Sequence, residues 1–284
     1  MEKLKIFVCA HKADKNIRTS SPYMPVQAGK ALHPDLNLGF AGDNTGDNIS
    51  EKNAAYSELT VIYWGAKNVK DVEYKGLCHY RRYFDIDINE NNIDSLMEGY
   101  DMITATEYPG FESNMNSHGL ILSTSQEDFY IFLDTLIGIH PECKQAIIDY
   151  FYNHYSFVPF TMFIARSEVY DDYCNFIFPV LFEVEKRVKP HGYSRQNRVI
   201  GYFGEWSLGL YIHCRNLHTR QVPFVMCGDD NHTRPHQESK LEKLKLQFKI
   251  KRNKMRNTRI TSVTVPSDVR AALLRDGIDL KNLN

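Results

Sequence analysis

At 284 residues, with 43% hydrophobic and 24% charged residues, the chain can bury a substantial core; this excludes a disordered polymer and a small stapled scaffold. The formal net charge of -1 conceals an uneven distribution: residues 240–256, "KLEKLKLQFKIKRNKMR", carry eight Lys or Arg against one Glu. No run reaches the roughly 18 apolar residues that a membrane-spanning helix needs.

"MEKLKIFVCAHKADK" opens on an apolar core of about five residues, short of the roughly 7–15 of a signal peptide, and reads as a first strand over 5–10. "LNLGFAG" reads as a second strand. Residues 50–68 read as one helix with Ala55, Leu59, Ile62 and Ala66 on one face and Ser50 as its cap. "KGLCHY" and "YDMITAT" are further strands, and 125–139 is a helix with Ser125 and Asp128 at capping spacing. "FTMFIA" is a strand, 167–188 a long helix in which Pro179 predicts a kink, "VIGYFGEWSLGLYIHC" a helix and "RQVPFVMC" the last strand. This alternation predicts an α/β layered domain with a mainly parallel sheet. Cys9, Cys78, Cys143, Cys174, Cys214 and Cys227 are scattered singly, with no C-x-x-C pair, which predicts reduced thiols and a cytoplasmic protein.

Ligands of open α/β sheets bind beyond the carboxyl ends of strands. The polar residues there are His11 and Lys12; then Asp43, Asn44, Asp47 and Asn48; then His79, Tyr80, Arg81 and Arg82; then Thr104 and Glu107. Strand-to-helix loops are polar in any protein, so no single one of these is diagnostic. The combination is: paired arginines need solvent or an anion, and "AGDNTGDNIS" leads into a helix start, where free N–H groups favour negative charge. G-x-G-x-x-G, the phosphate loop, H-E-x-x-H, G-x-S-x-G and paired zinc spacings are all absent. His213 and Cys214 are adjacent in a helix and face different ways, which marks them as structural.

The strings "CAHK", "YMPVQAG", "GDNTGDNISEKNAAYSELTVIYWGAKN", "YKGLCHYRRYF", "TMFIARSEVYDDYCNFIFPVLFEVEKR" and "QNRVIGYFGEWSLGLYI", spread in order over residues 4–228, resemble the bacterial family catalogued as domain of unknown function 4422. It occurs in capsule and exopolysaccharide gene clusters and is assigned to the glycosyltransferases. The resemblance implies a single domain of the GT-A, nucleotide-sugar-binding type, taken as 1–235; the basic composition beyond it reads as a helical tail over 236–284. It further implies a nucleotide-sugar donor, taken as UDP-linked, a hexosyl group with galactofuranosyl among the candidates, and a lipid-linked or oligosaccharide acceptor. The rival expectation is a non-catalytic binding or scaffold protein of a polysaccharide assembly.

Such a transferase needs a base pocket, positive charge for the departing diphosphate and, if configuration inverts, a carboxylate to deprotonate the acceptor. The donor pocket is expected from His11, Lys12, Asp43, Asp47, Asn48, Ser50, His79, Tyr80, Arg81, Arg82, Thr104 and Arg198. Two solutions exist for the diphosphate. Arg81 and Arg82 bind it bidentately without a metal, or Asp85 and Asp87, an Asp-x-Asp, hold Mn²⁺ or Mg²⁺. The arginines are preferred, because chance alone yields about one Asp-x-Asp in a chain of this composition; a structural salt-bridge cluster is the third reading. Glu205 leads as the acceptor base, with the stabilisation of a helix start as its plain alternative; Asp43, Asp47 and His118 are in reserve. In the tail, Leu241, Leu244, Phe248 and Met255 fall near one helical face flanked by basic residues, the pattern of an interfacial helix at an anionic membrane. Scarcity of aromatics there argues against nucleic acid.

Overall fold

A computed structural model describes residues 2–110, 112–116, 124–189, 196–228, 232–234 and 239–283. The chain divides into two compact units: residues 1–107, 158–175 and 217–237 form the first, and 108–157, 176–216 and 238–284 the second.

The first unit is built on a twisted sheet. Its strands are β1 (Glu2–Ala10), β2 (Tyr23–Gln27), β3 (Ala41–Gly42), β4 (Val72–His79), β5 (Arg82–Phe84) and β6 (Met102–Ala105). After a short pair in the second unit, β7 (Tyr108–Pro109) with β8 (Ser156–Phe157), come β9 (Phe163–Arg166), β10 (Thr219–Val222), β11 (Phe224–Cys227) and β12 (His232–Thr233). The main order is β10-β6-β9-β4-β1-β2-β3. β1 pairs in parallel with both β2 and β4, and β10 with β6. β9 is inserted antiparallel between β4 and β6. This is the expected α/β class with a mostly parallel sheet.

The strand pattern follows from burial. Ile6, Phe7, Val8 and Ala10 are fully buried, as a central parallel strand covered on both faces must be, and the sequence accordingly shows a continuous apolar run rather than alternation. The helix α2 (Leu59–Asn68), preceded by the short α1 (Asn53–Tyr56), covers one face of β1. Gly65 lets it approach closely, because a Cβ there would stand 2.5 Å from the Phe7 ring. The expected single helix over 50–68 is interrupted: 50–52 is a 3-10 turn, and Ser57 adopts φ 51 before α2 begins. Ser50 caps nothing; its hydroxyl has another use, described below. β2 was not expected, since Pro25 lies inside it and proline usually marks an edge or a turn. "RQVPFVMC" is two strands, not one: Pro223 separates β10 beside β6 from β11 beside β5.

The second unit is largely helical. It contains α4 (Gln126–Ile139), α5 (Lys144–Tyr152), most of α6 (Ser167–Arg187), α7 (Val199–Arg215), α8 (Lys240–Arg256) and α9 (Ser267–Arg275), α3 (Ile93–Met97) lying in the first unit. Ser125 caps α4 by accepting from the Asp128 N–H at 3.0 Å, as expected. α6 runs as one helix through Pro179. Aromatic packing holds this unit together: Phe132 stacks on Phe203 at 4.3 Å and Phe129 meets Phe151 edge-on at 5.3 Å. The segment beyond α8 is not a free tail. Val265, Val269, Leu273, Leu280 and Leu283 are buried, and the Asn282 N–H donates to Asp134 at 2.7 Å.

Gly76 in β4 faces the β9 backbone, where a Cβ would stand 2.6 Å from the Phe163 carbonyl oxygen. Gly76→Ala is therefore expected to lower the unfolding free energy by about 1–3 kcal/mol, the usual range for overpacking, in a chemical denaturation experiment.

Candidate functional site

Parallel pairing places the carboxyl ends of β1, β2, β3 and β4 on one edge of the sheet, and because β9 is antiparallel its amino-terminal approach, residues 160–162, reaches the same edge. The sequence thereby delivers His11 and Lys12, Asp43, His79 to Arg82 and Phe160–Thr161 to one side of the first unit.

The "GDNTGDNIS" loop is held from within. Asp43 is fully buried. It accepts from the N–H groups of Gly29 at 2.8 Å and Lys30 at 3.1 Å, from the Thr60 hydroxyl at 2.6 Å and from the Ser50 hydroxyl. Ser50 Oγ also accepts from the Ala31 N–H at 3.0 Å. A carboxylate with four donors has no lone pair left for an acceptor proton, and a hydroxyl with no exposed surface cannot meet a nucleotide. Asp43 as a base and Ser50 as a donor contact thus do not fit this geometry; both support the loop. Asp47 belongs to an identical Gly-Asp-Asn yet is exposed. Its carboxylate takes a 3.2 Å bond from the Tyr63 hydroxyl, and Asn68 brackets its backbone. Asn48 is spent locally, accepting from the Ser50 N–H at 3.1 Å and donating to the Gly46 carbonyl at 2.9 Å. The predicted helix start is a 3-10 turn, so the loop presents no helix N-terminus.

His79 ends β4 opposite Arg82, so Tyr80 and Arg81 form the tip of a tight hairpin into β5. Arg81 Nε donates to Asp14 at 2.7 Å. Asp14 is held below the usual carboxylate range by the Asn16 backbone N–H first and then by the Arg81 guanidinium. A depressed carboxylate adds stability above its ordinary pKa and loses it as pH falls through the lower folded value. The ion pair ties the segment after β1 to the hairpin, and a second tie reinforces it. The Arg18 guanidinium lies 4.1 Å over the Tyr83 ring, while the Tyr83 hydroxyl donates to the Asn16 carbonyl at 2.8 Å. His11, exposed at the end of β1, meets the Tyr80 ring edge-on at 5.4 Å. Lys12 is exposed beside it in sequence.

Arg82 has a different environment. It is half-exposed and, among the described residues, has no carboxylate partner; its guanidinium lies 4.2 Å over the Phe160 ring. That ring sits in a turn that sequence reasoning missed. Phe160 and Thr161 both adopt left-handed backbone, φ 65 and φ 52. For a β-branched threonine this is a costly conformation, on the order of 1–3 kcal/mol. Side chains hold it: the Phe160 carbonyl oxygen lies 2.6 Å from His79 Nε2, and Thr161 Oγ1 donates to Glu58 at 3.4 Å. Neither Gly nor Asn signals this turn in the sequence. Asp14 carried a weak signal, as an acid two residues beyond Lys12.

Of the remaining candidates, Thr104 lies toward the same edge, because β9 is antiparallel to both β6 and β4 and sets Thr104 and Leu77 beside Phe163; the others lie elsewhere. Thr104 is buried within β6, its hydroxyl unpartnered among the described residues. Asp85 and Asp87 follow β5, which runs back from the edge for three residues, roughly 10 Å. Asp85 is clamped by Arg234, with one contact at 3.0 Å, and Asp87 accepts from Asn89 at 2.7 Å. This Asp-x-Asp follows β5, which leads away from the strand edge, and both carboxylates are engaged by neighbouring side chains. Glu205 and Arg198 belong to the second unit. Glu205 is half-buried on α7, in the second turn rather than at the helix start. Arg198 precedes α7, exposed, its guanidinium 5.9 Å from the Tyr202 ring centre. His118 lies outside the described residues.

The chain belongs to the family described as domain of unknown function (DUF4422), whose model matches residues 5–216. It is similar to the solved apo structure of the WbbM bifunctional glycosyltransferase, at 25% identity and a TM-score of 0.73 over 82% of this chain. It spans 46% of that protein's length. No curated protein matches it in sequence.

Asp43→Asn should lower the unfolding free energy by roughly 2–4 kcal/mol, because an amide turns a donor toward groups that are themselves donors. Unchanged stability in urea, combined with lost activity, would return Asp43 to the chemistry.

Proposed function

We propose that the protein is a glycosyltransferase that binds the diphosphate of a nucleotide-sugar donor at the carboxyl edge of the sheet. The observation that carries this reading is Arg82: a guanidinium at that edge, stacked on Phe160 and without a carboxylate partner among the described residues. The likeness to WbbM, a bifunctional glycosyltransferase, supports the class. In the transfer, the bond between the anomeric carbon and the diphosphate oxygen breaks as an acceptor oxygen bonds to that carbon. Arg82, with Lys12 and Arg81 nearby, offsets the charge that develops on the departing diphosphate. Arg81 is already neutralised in part by Asp14, so Arg82 carries the larger share. Glu205 is proposed as the base that takes the acceptor proton. The donor is taken as UDP-linked and the group as hexosyl, galactofuranosyl among the candidates. The acceptor is taken as lipid-linked or an oligosaccharide of a surface polysaccharide, met at the cytoplasmic face of the membrane through residues 240–256.

Arg82→Ala should raise the donor KM or lower turnover at least about tenfold, equivalent to roughly 1.4 kcal/mol, and should also reduce the thermal shift given by UDP. Near-normal kinetics would sink the assignment. If no uridine or guanosine nucleotide stabilises the unaltered protein, the scaffold reading replaces the enzyme.

Glu205→Gln should keep the melting temperature and the nucleotide-induced shift while UDP release in the presence of a membrane-lipid extract falls by two orders of magnitude or so, the range expected for loss of a general base. Loss of nucleotide binding instead would make Glu205 a binding residue.

A further inference from the structure

The helix α8 lies outside the family match and carries two apolar stripes. At 100° per residue, Leu241, Leu244, Phe248 and Met255 fall within about 60° of one another, and Leu246, Ile250 and Asn253 fall within about 60° on the opposite side. The structure treats the two stripes differently. Leu246, Ile250 and Asn253 are the only residues of the helix that are half-buried, which marks their side as the one turned toward the protein. Leu241, Leu244, Phe248 and Met255 are 61%, 63%, 69% and 72% exposed, the highest values among the large apolar residues described.

The helix does not hang loose. Ser239 and Glu242 close a capping box at its start. At its end, the Lys254 ammonium lies 5.2 Å from the Tyr155 ring centre, and the next residues are pinned by Arg259 to Asp149 at 2.9 Å and by the Ile260 N–H to Asn153 at 2.9 Å. A helix capped at its start and tied to its unit at its end, with its most apolar residues outward, needs a partner for that side. Charge decides which. Lys251 borders the stripe on one flank and Arg252 and Lys245 on the other. A second copy of the helix packed stripe to stripe would oppose like charges along the whole contact. Nucleic acid would satisfy the charges and leave four apolar side chains in water. An anionic lipid surface takes both, the apolar side chains below the headgroups and the basic flanks among them.

We propose that α8 binds anionic membranes while docked on its unit, inserting Leu241, Leu244, Phe248 and Met255 and setting Lys245, Lys251 and Arg252 at the headgroup level. This names the face and the lipid class for the membrane contact proposed above, and it stands apart from the transferase chemistry.

The test is co-sedimentation of the full chain with vesicles of phosphatidylcholine alone or mixed with phosphatidylserine, beside the double variant Leu244→Glu/Phe248→Glu. Both altered positions are exposed, so the melting temperature and the UDP-induced shift should stay as in the unaltered protein. The unaltered protein is expected to sediment with the anionic vesicles, weakly with the neutral ones, and less as salt rises; the variant should lose at least tenfold in partitioning. Failure of the unaltered protein to bind anionic vesicles overturns the proposal. Undiminished binding by the variant overturns the assigned face, and a dimer in solution that the variant abolishes, without lipid binding, would give the stripe to a second copy. A UDP shift without lipid binding would leave the transferase reading intact, and lipid binding without a UDP shift would leave this one.

Discussion

The carboxyl edge of the first unit depends on one buried carboxylate. Asp43 takes hydrogen bonds from Gly29, Lys30, Ser50 and Thr60, and so joins the turn after β2, the 3-10 turn at 50–52 and the start of α2. A buried charge is tolerable only when its lone pairs are satisfied, and removing one donor leaves a penalty far larger than the bond's net worth. Three separate segments are therefore coupled: none can move without uncovering the charge. The loop between β3 and α2 is stiff for that reason, and its exposed Asp47 projects from a fixed base.

The hairpin at His79–Arg82 is held differently. Its tip is braced by the Arg81–Asp14 pair and by Arg18 over Tyr83, so the segment after β1 and the hairpin form one body. The two arginines consequently separate in role. Arg81 is committed largely to structure, whereas Arg82 rests against an aromatic face that leaves its N–H groups directed outward in the plane of the guanidinium. Phe160 can offer that face only because the turn at 160–161 accepts two left-handed residues, and His79 helps to hold the turn. Strain of this kind persists only where the surrounding contacts over-determine the turn, as His79 and Glu58 do here.

The class of the fold was legible because central strands covered on both faces must be apolar throughout, and "KIFVCA", "KGLCHY" and "FTMFIA" announce that burial without any tertiary information. The long helices 126–139, 167–187 and 199–215 were legible from their apolar periodicity, and Ser125 from its spacing to Asp128. β2 was hidden by Pro25, and the break at Ser57 by a run of good helix formers that gives no warning of a positive φ. The grouping of His11, Lys12 and His79 to Arg82 could be read in advance because parallel strands place their carboxyl ends together.

Periodicity and composition are properties of neighbours along the chain, so the sequence by itself determined the apolar strands, the helical stripes and the cationic character of 79–82 and 240–256. Contacts between distant segments are not encoded locally, and these the tertiary structure alone decided. The two Gly-Asp-Asn triplets are identical, yet Asp43 is buried because Gly29, Lys30 and Thr60 converge on it, while Asp47 faces water. Leu244 and Leu246 are the same residue two positions apart on one helix; the segment returning through Asn257 to Ile260 fixes which of them is turned to the protein. Arg81 and Arg82 are adjacent and alike, and only the folding of Asp14 against one and Phe160 against the other makes the former half of an ion pair and sets the latter over a ring.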